Sequence, residues 1–258
     1  MSGTIVLPKN VPIDSIQIGK VRTLGNGVTR VAYITMNGEN VIYQFPEMSS
    51  PFGMGSWKND NGTTKYWFDL SFRDIENRVP LQVTKKFIED IDEKVIQHAL
   101  DNSQEFFKKK YTSIEVVRAL FSPSIRYAKD KETGEIITKW APTWKMSLPQ
   151  RDGEFSFEAY DKNKNVVNLK EVQTKGAKII SLVQCGGLWI AGGKFGITWR
   201  TVQLQININT GKLNGFSFLD NPEDKISKDE DEEEDKVEPK LGMLKLVDDD
   251  ESSDDDNN

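Results

Sequence analysis

Apolar and polar positions change period twice along the chain. Over roughly the first 75 residues they alternate every second position, between turn residues. Residues 15–24 alternate loosely and stop at Gly25-Asn26-Gly27, and residues 28–36 follow and stop at Asn37-Gly38. Both stops supply the positive φ angles of tight hairpin turns. Residues 39–45 form a third strand with Val41, Tyr43 and Phe45 on one face. A long loop is expected over 46–62, carrying Phe52 and Trp57. The strand 64–73 is the cleanest, with Tyr66, Phe68, Leu70 and Phe72 on one side and Trp67, Asp69, Ser71 and Arg73 on the other.

The period then lengthens. Thr84 can cap a helix running to about Lys109, in which Phe87, Ile88, Ile91, Val95, His98, Ala99 and Phe106 share an arc of roughly 120°. A short second helix is expected over 113–121. From Ser124 to Leu219 the period of two returns, with the best strands at 143–148, 154–160, 177–190 and 197–209. Strands, one central helix, then strands is the order of a mainly β, antiparallel fold, not of a parallel βαβ sheet. It fits an elaborated OB-fold-like barrel, a five-stranded Greek key that commonly carries a helix between its third and fourth strands, and it fits other helix-capped barrels.

Charge splits the chain in two. Of 40 acidic and 34 basic residues, 18 acidic and 5 basic fall in 220–258, leaving 22 and 29 in 1–219. The body is therefore net positive and holds every aromatic residue, while the tail is strongly acidic and holds none. So little apolar area cannot offset ordering entropy, and the tail is expected to be disordered. The division is thus a binding body, 1–219, and a tail, 220–258.

Counting removes several classes of chemistry. A lone cysteine, Cys185, cannot close an internal disulfide, and one cysteine with one histidine, His98, cannot build a Cys/His zinc site. No stretch resembles a leader or reaches the ~20 apolar residues of a membrane helix, so a soluble intracellular protein with no membrane partner is expected. The Gly-rich stretch 185–196 lacks the spacing of a phosphate loop, because Phe195 follows Gly193-Lys194 and Leu188 stands at the first glycine position. It is expected to be a hairpin turn. His98 and Cys185 are expected as core filler. The carboxylates Glu89, Asp90, Asp92 and Glu93 are expected on the helix's solvated side. No catalytic residue, metal site or cofactor is expected.

The positive body points to a polyanion. Trp199 lies among Thr201, Gln203, Gln205 and Asn207, opposite the apolar row Val202, Leu204, Ile206 and Ile208. Such an indole is either half-covered by a neighbouring loop or free to stack on bases, and Trp67 poses the same question. Cations accompany aromatics elsewhere: Lys108, Lys109 and Lys110 beside Tyr111, Arg126 beside Tyr127, Trp144 beside Lys145, and Trp189 near Lys194 and Phe195. With Trp57, Arg73 and Arg200 these residues make the candidate nucleic-acid contacts. In the tail, Leu241, Met243, Leu244 and Leu246 lie between acid blocks and suit docking into a partner's groove.

The block 187–203, Gly-Leu-Trp-Ile-Ala-Gly-Gly-Lys-Phe-Gly-Ile-Thr-Trp-Arg-Thr-Val-Gln, resembles the closing hairpin of single-stranded-DNA-binding proteins from nucleocytoplasmic large DNA viruses. Those are similar in plan to the acidic-tailed OB-fold proteins of podophages. The resemblance implies a viral replication, recombination or repair protein that coats single-stranded DNA and contacts polymerase, primase or helicase through its tail. It would work in the host cytoplasm or nucleus, and a homo-oligomer is compatible with it. The phage tails end in an aromatic residue, whereas this chain ends Asp256-Asn257-Asn258, so the 241–247 segment would stand in its place. The competing class is an acidic-tailed chaperone of basic proteins, such as histones or virion proteins. A third, an enzyme using Asp/Glu-bound magnesium, lacks any supporting spacing.

Overall fold

The computed structural model describes residues 3–25, 29–60 and 62–208. All belong to the unit Met1–Lys212. The expected disorder of 220–258 and the docking role of Leu241, Met243, Leu244 and Leu246 lie outside the described residues.

Five strands pair into a ring: β1 (Ile42–Ser49), β2 (Thr64–Ser71), β3 (Thr143–Leu148), β4 (Lys178–Ala191) and β5 (Lys194–Asn207). The order is β1-β2-β3-β5-β4 and back to β1. Every pair is antiparallel except β3–β5, joined in parallel at Ser147↔Arg200. The fold is mainly β. Shorter strands decorate the ring. Ile16–Ile18 pairs with Ile34–Met36, and Arg22–Thr23 with Arg30–Ala32, as the expected first hairpin requires. The Asn37-Gly38 turn is present with both φ angles positive, at 50° and 84°.

The expected 46–62 loop is not one. β1 continues through Pro46 to Ser49, and Met54–Lys58 pairs along its length with β2. Pro46 is tolerated because the β1–β4 register shifts between Ser181↔Phe45 and Ile179↔Met48, so no ladder bond is needed there.

The helix α1 (Val79–Asp101) starts a turn earlier than Thr84, which is buried inside it, because Pro80 is compatible with a first helical turn. It ends at Asn102, whose side-chain amide donates to the His98 carbonyl at 2.9 Å. A separate turn, α2 (Ser103–Phe107), follows, and Ser113 caps α3 (Ile114–Leu120) by accepting from the Val116 N–H. The ring thus receives its helix between the second and third strands, not the third and fourth. Among the described residues no helix is long and apolar enough to cross a membrane.

The core is aromatic. Phe45 lies 4.8 Å from Trp144 and 5.8 Å from Trp199, the two indoles are 5.7 Å apart, and Phe87 of α1 closes on Tyr43 at 5.1 Å. Trp199 faces inward because of one extra residue. Leu182 pairs with Gln203 but Val183 pairs with Thr201, so Val202 is a bulge. Sliding the count by one exchanges the two faces of a strand. Leu204 and Ile206 point inward beyond the bulge, and Thr201, Trp199 and Phe195 point inward before it.

Removing either core indole should be costly. Trp144→Ala and Trp199→Ala are each expected to lose about 3–5 kcal/mol of stability. Trp57→Ala, at a residue 67% exposed, should shift stability by less than ~0.5 kcal/mol. Urea midpoints at constant slope would measure both.

Candidate nucleic-acid interface

Strands alternate, so the ring that buries Trp144, Met146 and Leu148 turns Thr143, Lys145 and Ser147 outward. Residues directly opposite across a ladder share a face. Lys145 opposes Asp69, Ser147 opposes both Trp67 and Arg200, and Thr143 opposes Arg126 of the short strand Ile125–Arg126. On the far side of β2, Gly55 opposes Trp67 and Trp57 opposes Lys65. One outer face therefore collects Trp57, Lys65, Trp67, Arg126, Lys145 and Arg200 from separate segments of the chain. Beside it a cleft is lined by Ser122, Arg126, Lys145, Trp189 and Thr198.

Two indoles lie on glycines. A Cβ on Gly55 would come within 2.5 Å of Trp67 Cε2, and a Cβ on Gly196 within 2.9 Å of Trp189 Cζ2. Only a residue without a side chain lets each ring rest on its neighbouring strand. Trp67 is also fixed by its Nε1–H, which donates to Asp69 Oδ2 at 2.9 Å. The Lys145 ammonium sits 3.7 Å from the Trp67 ring centroid. Partial burial, then the nearby Arg126 and Lys65 charges, hold Lys145 below the ordinary lysine pKa, with Asp69 opposing. Among the described residues, Lys65, Arg126 and Arg200 form no ion pair. The face carries four cations against Asp69.

The structure brings some expected contacts here and removes others. Trp67, Arg126, Lys145, Trp189 and Arg200 are on the face or its cleft, and Trp57 is exposed at its edge. Lys194 is exposed at the tip of the β4–β5 hairpin, where Gly192 and Gly193 have positive φ as a tight turn requires. Trp144, Phe195 and Trp199 are corrections: all three are buried, at 0%, 0% and 2% exposure, and have no face open to a base. Trp144 is in phase with Met146 and Leu148, so its inward direction was legible. Phe195 is enclosed by Phe107, Phe121 and Phe106 at 5.3, 5.1 and 6.2 Å. Lys108, Lys109 and Lys110 are exposed beyond α2, with Lys109 over the Tyr111 ring, and Arg73 is exposed just past β2. Among the described residues no ion pair joins these four to the Trp67 face; the Arg73 N–H donates to Ser71 Oγ at 3.2 Å. Lys65 was missed, although it shares the phase of Trp67 and Asp69. Gly55 and Gly196 were missed because cross-strand partners are not written in either strand alone.

Beneath the face lies a polar chain. The Trp199 Nε1–H donates to Ser124 Oγ at 3.0 Å, and the Ser124 hydroxyl and N–H donate to the two Asp92 oxygens at 2.7 and 2.9 Å. Asp92 was expected in solvent, but α3 and the strand after it cover that part of α1. Glu89, Asp90 and Glu93 do reach solvent and pair with Lys85, Lys86 and Arg118. Burial pushes the Asp92 carboxyl up to about 7, with the Glu89 and Glu93 charges adding and the Ser124 hydrogen bonds opposing. Cys185, opposite Trp199, is buried as expected, and His98 is half-buried edge-on to Phe106 at 5.7 Å.

A family model matches residues 69–220, and the chain belongs to that family, described as a family of unknown function (DUF5871). A search of curated proteins found no match. Among solved structures the chain is similar to gp2.5, a single-stranded DNA binding protein encoded by bacteriophage T7. The alignment has 9% identity and a TM-score of 0.40, over 70% of this chain and 100% of that one.

The Asp92 carboxyl gives this region a pH signature. Its folded pKa lies above its unfolded value, so the native state holds the extra proton. That stabilisation is complete below pH ~4 and is lost as pH rises through about 7. Asp92→Asn is expected to flatten the decline in stability across that window, by on the order of 1–3 kcal/mol, in urea titrations run at each pH.

Proposed function

We propose that this DUF5871 member is a non-catalytic, sequence-independent single-stranded-DNA-binding protein, and that its binding surface is the outer face of β2 and β3. One observation carries the reading. Two indoles lie flat against the sheet beside four cations that have little internal compensation. Flat indoles stack on any base because every base has a π-face, and cations along the same face follow the phosphates. Duplex DNA hides its base faces within the stack, so only a single strand satisfies both features at once.

The ring order supports reading the fold as an OB-type barrel, whose ligands commonly lie on the second and third strands and the loop between the fourth and fifth. Here those are β2, β3 and the hairpin bearing Lys194. Support of DNA replication, recombination or repair, in a virus, is the role that the resemblance of block 187–203 implies. The acidic tail adds a second element: tethered at high effective concentration, its carboxylates compete for the basic face and are displaced by nucleic acid. Polymerase, primase or helicase would then meet the released tail at Leu241, Met243, Leu244 and Leu246.

Titration with labelled oligo-dT and with duplex of equal length is the primary test. Single strands should bind more tightly, and Trp189→Ala should cost about 1–3 kcal/mol. With four cations engaged, log K should fall against log salt with a slope of about −3. A flat salt dependence, or equal affinity for duplex, would sink the reading.

Deleting residues 220–258 separates this reading from a chaperone of basic proteins. A competing tail predicts tighter single-strand binding by the truncated chain, most clearly at low salt where screening is weakest. A truncated chain that binds no single strand, and an intact one that holds histones only through its tail, would favour the chaperone.

A further inference from the structure

Trp67 and Lys145 differ in their freedom to move. The indole is held from two directions, by the Asp69 carboxylate on its Nε1 and by the Gly55 backbone under the ring. Lys145 has no hydrogen bond or ion pair among the described residues; the indole is its partner, at 3.7 Å from the ring centroid. A long flexible chain bearing a point charge moves at little cost, whereas an indole seated on backbone does not. The face of Trp67 open to a base is thus shared with an ammonium group.

Resting on the functional reading above, we propose that Trp67 and Lys145 form one nucleotide subsite, in which the ammonium covers the indole in the free protein and moves to a phosphate when a base stacks. The ligand it selects is a unit carrying both a planar base and a phosphate. A polyanion without bases gains the phosphate contact but must still break the cation–π contact, with nothing to take its place on the ring. The surroundings favour the transfer. Arg126 and Lys65 repel the ammonium where it rests, adding to the partial burial that already lowers the basicity of Lys145. A phosphate arriving between them neutralises the group as a whole.

The arrangement predicts the sign of a coupling. Each single variant loses one ligand contact but no longer has to break the Trp67–Lys145 contact on binding. Only the double variant loses both ligand contacts with that saving counted once. In anisotropy titrations of the full chain with oligo-dT, Trp67→Ala and Lys145→Ala should each weaken binding. The double variant should weaken it beyond the product of the two, by about two- to fivefold, the size of a surface cation–π contact. With an abasic deoxyribose-phosphate oligomer of equal length, Trp67→Ala should bind two- to fivefold tighter than wild type, since Lys145 starts free. Trp67→Leu supplies the same readings if the alanine variant loses its circular dichroism. Multiplicative effects on oligo-dT together with unchanged abasic affinity would overturn the shared subsite while leaving single-strand binding intact. A wild-type chain that binds neither probe would overturn the functional reading, and this one with it.

Discussion

Trp199 reaches the core only because β5 inserts one extra residue, Val202, between its pairings with Leu182 and Val183 of β4. Without the bulge at Val202, the phase that buries Leu204 and Ile206 would turn Trp199 and Thr201 outward. Much follows from the inward direction. The indole completes the packing of Phe45, Tyr43 and Trp144, and its N–H fixes Ser124, which in turn holds the carboxylate of Asp92 on α1. The helix is thereby tied to the ring by a buried hydrogen-bonded chain as well as by Phe87. Buried polar groups that are fully paired specify one arrangement better than apolar contact alone. The same bulge leaves Arg200 outward beside Ser147, where it joins the cations of the outer face.

That face holds like charges together at some cost in stability. Partial burial and then the Arg126 and Lys65 charges lower the basicity of Lys145, and Asp69, which opposes them, is already engaged by Trp67. A folded protein gains nothing from such crowding, and a solvated lysine face would relieve it by spreading. The cations are held close because the ladder fixes their backbones: Arg126 opposes Thr143, Lys145 opposes Asp69, and Arg200 opposes Ser147. A surface strained this way is relaxed by a polyanion, which is the electrostatic side of the proposed function.

What the sequence made legible follows from period and range. The strand 64–73 showed its two faces plainly, and Trp67 was rightly placed outward while Phe68 and Leu70 went in. The ring strands 143–148 and 177–190 and the helix were visible for the same reason, since each rests on local alternation. Trp199 was misread because a bulge is a property of two strands, and neither alone announces the extra residue. Asp92 was misplaced because helix periodicity gives directions but not what covers them; α3 and Ser124 arrive from later in the chain. Gly55 and Gly196 carried no signal at all, for a glycine under an indole differs from a turn glycine only in its cross-strand partner. Trp144 was a different error, since Met146 and Leu148 already marked its side.

The chemistry of the face also bears on what it can distinguish. Reading a base needs donors and acceptors aimed at its edge, and two of the polar groups on this face are already engaged within the protein. Asp69 accepts from Trp67, and Ser147 donates to the Trp199 carbonyl at 2.7 Å. The indole faces and the lysines that follow a backbone address the two parts of a nucleotide that do not vary with sequence. On the proposed reading, the hydrogen bonds of the ring work against sequence preference: Asp69 and Ser147, two polar groups on the face, hold the tryptophans in place instead of meeting bases.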